Sequence, residues 1–300
     1  MSYLPDDILE HLRAVSELPD LGGTRYVLEN EIGRGGMGTV YAAHDTPLDR
    51  RVALKVLHAS DRDPDSSARL LDEARIVAQL AHPGIVPVYD TGVLPDGRVF
   101  YAMKLVEGRR LDEYRRTEPS LTERLRVFQK VCEPVAFAHA RGVIHCDLKP
   151  ENIMVGSFGE VLTMDWGIAR PLEKPDAGTV VAGTPRYMAP EQAAGQPQDQ
   201  RTDIFALGAI LRFLLPDKDA PRPLLAIANK AMSSDAPSRY TTALELSAEV
   251  ERYLENLPVS AYRENLYERA SRFFARNQTL LLLLMAYVLV RFLLVLLRPQ

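Results

Sequence analysis

Two stretches of this chain carry residue types whose spacing suits phosphate chemistry. The first is Glu31-Ile32-Gly33-Arg34-Gly35-Gly36-Met37-Gly38-Thr39-Val40. Glycines let a loop between two strands bring backbone N–H groups close to phosphate oxygens. The run Thr39-Val40-Tyr41-Ala42-Ala43 is β-branched and aromatic, so a strand follows the glycines. A dinucleotide-binding turn needs a helix there instead. Further on, Val52-Ala53-Leu54-Lys55 puts a lysine inside an apolar strand. An edge-strand lysine facing water is the plain structural alternative. Beside the glycine loop, a lysine aimed at α- and β-phosphates accounts for it better. Such an ammonium needs a carboxylate to hold it. Glu73, on the polar side of the next helix, takes that role, with Asp72 as its competitor.

The second stretch is His145-Cys146-Asp147-Leu148-Lys149-Pro150-Glu151-Asn152, set between apolar Val143-Ile144 and Ile153-Met154-Val155. A carboxylate and an amide in such surroundings need partners, which a purely structural role does not supply. Asp165-Trp166-Gly167 follows the strand-like Val161-Leu162-Thr163-Met164. Gly183-Thr184-Pro185-Arg186-Tyr187-Met188-Ala189-Pro190-Glu191 comes later, and Asp203 opens an apolar helix.

These residues need elements to place them. Residues 6–18 read as a short helix ended by Pro19 and Gly22-Gly23. Strand patterns cover residues 26–28, 39–43 and 51–57. A helix over 66–80 follows, with Leu70, Ala74, Val77 and Ala81 on one face. Strand signals recur around 85–90 and 98–105, joined through Pro95-Asp96-Gly97. After Gly108 the helical period dominates. Leu121, Leu125, Phe128, Cys132 and Val135 make an apolar stripe, and Pro134 sits inside it at a cost in backbone hydrogen bonding. A β-rich first part and a helical second part, with the chemistry between them, is an α+β architecture of two lobes.

Composition narrows the function. The net charge of −4 gives no sign of a nucleic-acid binder. The only cysteines, Cys132 and Cys146, cannot build a disulfide framework, and no Cys/His cluster has zinc-ligand spacing. The first 21 residues lack the pattern of a signal peptide. Residues 280–297 are apolar except for Arg291, a length of about 18 residues that just suffices to span a bilayer. Leucines at about −0.5 kcal/mol each outweigh about +3 kcal/mol for the arginine. Arg263, Arg269, Arg272 and Arg276 precede this stretch and Arg298 follows it, so the preceding part is expected on the cytoplasmic side.

In order and spacing, the motifs between residues 25 and 254 resemble the protein-kinase signature. The Gly33–Gly38 loop and the Met188-Ala189-Pro190-Glu191-Gln192 segment are most similar to the eukaryotic-like (Hanks-type) Ser/Thr kinases of bacteria. The resemblance implies a bilobal protein-kinase fold, with a small β-rich N-lobe at 25–107 and a larger helical C-lobe at 108–256. An extension at 1–24 precedes them; a juxtamembrane segment at 257–278 and a transmembrane helix at 279–297 follow. It implies ATP and Mg²⁺, for which Mn²⁺ can substitute, protein substrates bearing Ser or Thr, and an assembly that can include a homodimer.

The resemblance also assigns roles. Asp147 handles the proton of the attacking hydroxyl. Lys149 neutralises the moving phosphoryl group and marks Ser/Thr over Tyr specificity. Asn152 and Asp165 hold the metal. Ile32, Gly33, Gly35, Gly38, Val40, Ala53, Lys55 and Glu73 bind ATP, Met103 gates the adenine pocket, and Lys104 and Val106 read the adenine edge. Glu191 pairs structurally with Arg239. His145 and Trp166 are expected as packing residues, Thr184 as a lining of the substrate groove, and Thr179 as the candidate phosphosite.

The chain also departs from the family. Cys146 stands where most such kinases have arginine. The stretch 215–224 is short where the family places a longer loop and a further helix used for substrate docking. Only Arg298, Pro299 and Gln300 follow the apolar stretch, where related membrane kinases carry an external sensor domain. The intact Lys55, Asp147, Asn152 and Asp165 argue against a non-catalytic pseudokinase scaffold. The Ala189-Pro190-Glu191 segment argues against a small-molecule kinase of similar shape.

Overall fold

A computed structural model describes residues 18–36, 38–61, 64–167, 169–171 and 184–266, with scattered residues from there to Arg291. The expected helix over 6–18 lies almost wholly outside the described residues, as do Thr179 and Gly183. The first lobe is a five-stranded antiparallel sheet of β1 (Tyr26–Arg34), β2 (Gly38–Asp45), β3 (Arg50–Leu57), β4 (Val88–Val93) and β5 (Val99–Lys104). Their order is β1-β2-β3-β5-β4. β3 lies at the centre and is buried on both faces from Val52 to Leu57, which explains its unbroken apolar run. Gly38 opens β2 against β3, where a Cβ would overlap the Val56 carbonyl oxygen. Gly97 takes φ +86° in the β4–β5 turn, as the Pro95-Asp96-Gly97 signal implies.

Helix α1 (Pro64–Gln79) packs on this sheet through Leu70, Ala74 and Val77. It begins two residues before the sequence reading placed it, and β4 lies three residues later. One expectation is corrected here: Glu73 is not on a polar side. It is 2 % exposed, because the face bearing Leu70 and Ala74 also carries Glu73 against β3 and β5. A charged residue looks polar in a sequence pattern, but an ion pair lets it occupy a buried face.

The second lobe is built around α3 (Leu121–Ala140) and α5 (Gln200–Leu214), introduced by β6 (Gly108–Arg110) and α2 (Leu111–Arg116). Ser120 caps α3 in a capping box with Glu123. Pro134 is buried within α3, against Gly84 of the α1–β4 loop, where a Cβ at Gly84 would meet Pro134 Cγ at 3.0 Å. The proline thus packs where the first lobe's loop crosses the second. Helix α5 is buried nearly all round, as its apolar sequence requires. α4 (Pro190–Ala193) precedes it; α6 (Arg222–Ala231) and α7 (Ala243–Leu254) complete the core. Gly208 lets α5 approach α6 closely, since a Cβ there would lie 2.7 Å from Ala231 Cβ. Residues 215–221 alone join α5 to α6, as the short sequence stretch implies.

Between the lobes lie two small sheets. β6 pairs with β8 (Ile153–Gly156), which pairs with β9 (Val161–Thr163). β7 (Val143–Ile144) pairs with β10 (Arg170–Pro171). The α1–β4 loop is tied to β9 by Thr163 N–H donating to the Gly84 carbonyl at 2.8 Å. Among the described residues no helix is long and apolar enough to cross a membrane, and many of residues 279–297 lie outside them.

Candidate active site

Lys55 projects from the middle of β3 into the cleft between the lobes. Its ammonium donates to Glu73 Oε1 at 2.7 Å, to Glu73 Oε2 at 2.9 Å and to Asp165 Oδ1 at 2.9 Å. Burial alone would lower the pKa of this ammonium. The electrostatics of Tyr101, Glu73 and Asp165 outweigh it and hold the group charged. Burial likewise works to raise Asp165, but the Lys55 ammonium prevails and keeps it below the usual carboxylate range. Asp72 points elsewhere, to Arg75 at 2.8 Å, which settles the choice between the two neighbouring acids. Gly167 leaves room for this cluster: a Cβ there would sit 3.2 Å from Glu73 Oε2.

Across the cleft, the loop after β7 brings Asp147, Lys149 and Asn152 together. Lys149 Nζ donates to Asp147 Oδ2 at 2.6 Å. Asn152 Nδ2 donates to the Asp147 carbonyl at 2.9 Å and to its Oδ2 at 3.2 Å. With its nitrogen so engaged, the Asn152 amide has its oxygen left for another partner. Asp165 takes a left-handed backbone, φ +57°, unusual for a residue with a side chain. Its carboxylate lines the same cavity as Asn152, together with Gly33, Gly35, Gly38 and Val40 of the glycine loop. That cavity measures about 400 Å³. An adjoining one of about 500 Å³ is lined by Ile32, Val40, Ala53, Met103, Lys104, Val106 and Met154. Lys55, Asp147, Lys149 and Asp165 all line the first cavity, whereas Val40, Ala53, Met103 and Met154 give the second an apolar end, which Arg110, Glu113 and Glu151 also line.

The loop's shape comes from a residue that, in the sequence, marks only the start of an apolar helix. Asp203, on α5, is 1 % exposed. Its Oδ2 accepts from the backbone N–H of His145 at 2.8 Å and from His139 Nε2 at 2.8 Å, and its Oδ1 from the Cys146 N–H at 2.9 Å. Burial opposes this charge, but the His139 hydrogen bond and the other donors win, and its pKa lies below the ordinary value. Cys146 has φ +65°, which costs a residue with a Cβ roughly 1 kcal/mol. The Gln192 amide adds a further tie, donating to the Cys146 carbonyl at 2.6 Å. The signal for Asp203 is a lone acid just before the apolar run Ile204–Ile210; the Met188–Gln192 segment contains Gln192 but not its tie to Cys146, and no pattern flags His139.

His145 is fully buried and packs at a tilt of 46° against Trp166, with ring centroids 4.5 Å apart. Its Nε2 faces the Met164 carbonyl at 3.1 Å, and its Nδ1 faces the Asp147 N–H at 3.2 Å. A carbonyl only accepts and an N–H only donates, so the neutral Nε2–H tautomer fits both. Glu191 and Arg239 form a bidentate pair at 2.7 and 2.8 Å, with the guanidinium fully buried. Burial pushes Glu191 up, but the Arg239 fork brings it below its ordinary value. Thr184 is partly exposed.

A strand-built lobe and a helical lobe, with a glycine loop over the cleft between them, define the bilobal kinase fold. The kinase domain of Mycobacterium tuberculosis PknI, a solved structure, shares it with a TM-score of 0.61 at 24 % identity, covering 77 % of this chain and 96 % of that one. The family description "Protein kinase domain" matches residues 26–259, and the chain belongs to that family. It is similar to the serine/threonine-protein kinase PknD of Protochlamydia amoebophila, 34 % identical over 294 residues, covering 77 % of this chain and 30 % of that protein. PknD of Chlamydia muridarum is 36 % identical over 297 residues, covering 77 % and 32 %. The chain spans about a third of the length of these curated relatives.

Proposed function

We propose that this chain is an active bacterial Ser/Thr protein kinase, which transfers the γ-phosphoryl group of ATP to hydroxyls of protein substrates. The observation that carries the reading is the convergence on one cleft of Lys55, held by Glu73, with Asp147, Lys149 and Asn152 across the cleft and the glycine loop lining the same cavity. In this reading Asp147 orients the attacking hydroxyl and takes its proton. Lys149, already against Asp147, neutralises charge on the moving group. Lys55 holds the α- and β-phosphates. The apolar end, with Val40, Ala53 and Met103, takes the adenine, and the backbone of Lys104 and Val106 reads its edge.

The oxygens of Asn152 and Asp165 form a hard donor pair that suits magnesium, which keeps the rest of its shell for phosphates and water. The chemistry magnesium supplies when bound is neutralisation of the phosphate charge. Phosphoryl transfer asks mainly for positioning and electrostatics, which rigid ion pairs provide. The test is radiolabelled ATP with a basic protein acceptor and phosphoamino-acid analysis. Label on serine or threonine that disappears in Asp147→Asn supports the reading; label that persists in that variant overturns it.

Two finer readings follow. The first is a membrane anchor at 279–297 with the kinase domain in the cytoplasm. Its support is the exposure of Leu282, Leu283, Leu284 and Met285 on helical turns, each more than half open to solvent. Detergent will be needed to extract the chain from membranes, and removing residues 279–297 will release it. A full chain that fractionates as soluble protein overturns the anchor.

The second concerns control. An arginine before the catalytic aspartate gives an activation-loop phosphate a cation to pair with. Cys146 carries no such charge, and its backbone is already fixed by Asp203 and Gln192. Basal activity is therefore expected without loop phosphorylation. Thr179→Ala will keep most of its rate, and fully dephosphorylated enzyme will show no lag in initial-rate assays. A loss beyond about tenfold would mean that another cation does the arginine's work.

A further inference from the structure

The sequence gives β5 the run Val99-Phe100-Tyr101-Ala102-Met103, whose side chains alternate between the two faces of the sheet. Phe100 and Ala102 enter one core cluster; Val99, Tyr101 and Met103 enter the other, beneath α1. Tyr101 is 3 % exposed, and a buried phenol needs a hydrogen-bond partner. It finds one in Glu73: the hydroxyl donates to Oε1 at 2.9 Å. Tyr101 and Lys55 face each other in the β3–β5 register, with the ammonium 5.8 Å from the ring centroid. The carboxylate of Glu73 is therefore gripped from two strands at once, by the ammonium from β3 and by the phenol from β5.

The two grips differ in what else they must do. Lys55 divides its three protons between Glu73 and Asp165, and in the function proposed above it must also serve phosphate oxygens. Tyr101 has one proton, and it goes to Glu73. We infer that the Tyr101 hydroxyl is a positioning group for phosphoryl transfer, holding Glu73 and with it helix α1 in place while Lys55 gives hydrogen bonds to the nucleotide. Burial raises the phenol's pKa well above its ordinary value, so it remains a donor throughout the working range. The arrangement needs no covalent modification. This suits a chain whose catalytic loop carries Cys146 in place of a phosphate-binding arginine.

This inference rests on the kinase reading for its activity readout, so the experiment carries a second readout that does not. Tyr101→Phe keeps the ring and deletes only the hydroxyl. The full chain is compared in four forms: natural, Tyr101→Phe, Glu73→Gln and the double variant. Steady-state kinetics is measured together with hydrogen exchange of the α1 amides, and melting temperature reports on folding. Tyr101→Phe is expected to lower kcat about tenfold or more and to raise KM for ATP by a smaller factor. Exchange along Pro64–Gln79 will quicken, while the strands of the sheet keep their protection. In the Glu73→Gln background the same change will add little to either readout, because the hydroxyl acts through the carboxylate.

Unchanged kcat and unchanged α1 exchange in Tyr101→Phe overturn the inference. So does an equal loss in both backgrounds, which would mark Tyr101 as a packing residue only. If the natural chain transfers no phosphate, the kinase reading fails, and α1 exchange alone still decides whether the hydroxyl holds the helix.

Discussion

Lys55→Met will abolish detectable phosphoryl transfer and will also destabilise the fold, two effects that Asp147→Asn will separate. From sequence alone Lys55 looks dispensable for folding, since its expected work is on phosphates. The structure alters that expectation. The Glu73 side chain is 1 % exposed, and its charge is balanced by the Lys55 ammonium. Methionine fills the space and leaves a buried carboxylate with the Tyr101 hydroxyl as its remaining partner. Breaking a buried pair from one side costs about 3–5 kcal/mol. In a domain of this size that lowers the melting temperature by roughly 10 °C.

The sign of the pH dependence follows from burial. Desolvation already pushes Glu73 above its ordinary value, and removing the cation pushes it further. A carboxyl group with a raised folded pKa costs nothing while protonated and destabilises as pH rises through that value. The deficit of Lys55→Met will therefore be largest at neutral pH and narrow towards pH of about 5. Asp147→Asn is near-isosteric at a site still open to the cleft, with 14 % of its side chain exposed. It will lose at least about a hundredfold in kcat, some 2.7 kcal/mol of transition-state stabilisation, with little change in melting temperature. Thermal melts of the two variants from pH 5 to 8, beside initial rates, check the whole argument. A Lys55→Met melt within a degree or two of the natural chain would show that Glu73 finds another partner.

Asp203→Asn is the second large effect. Asp203 is the common acceptor for His139, for His145 N–H and for Cys146 N–H, and both oxygens are used. An asparagine offers one accepting oxygen and an NH₂ group that only donates, so at least one of these N–H groups is left facing a donor. The left-handed turn at Cys146 then loses the contact that offsets its strain. The expected cost is about 3–5 kcal/mol, with a parallel loss of activity as the catalytic loop loses its anchor. The folded pKa of Asp203 is lowered. Its contribution is thus full above the unfolded value of about 3.9 and is lost as pH falls through the lower folded one. The gap in urea midpoint between natural chain and variant will be wide at pH 7 and will close as pH drops below about 4. A gap that stays constant with pH would rule out charge as its origin.

The fold class was legible because each lobe declares itself locally. The strand run Val52-Ala53-Leu54 is an unbroken apolar stretch and Leu121-Leu125-Phe128 a stripe of helical period, and both appear as read. What escaped reading depends on distance in the chain. Glu73 was expected on a polar face because its neighbours in sequence are charged. Its burial comes from Lys55 and Tyr101, which no helical pattern contains. Tyr101 reads as any aromatic strand residue, because its hydroxyl acquires a meaning only when α1 packs on β5 and brings Glu73 to it. Asp203 was visible as an acid in an apolar helix, yet its partners 57 and 58 positions upstream were not. Pro134 made no sense as a helix residue until Gly84 was seen against it.

The Glu191–Arg239 pair has a consequence for how this protein can change over time. Arg239 grips Glu191 with both arms and also donates to the carbonyls of Arg201 and Ser233. Changing Glu191 alone leaves the Arg239 charge buried without its mate, at a cost of about 3–5 kcal/mol. A lineage can therefore exchange this pair only through two coupled changes, whereas an exposed pair such as Arg75–Asp72 can be lost one residue at a time.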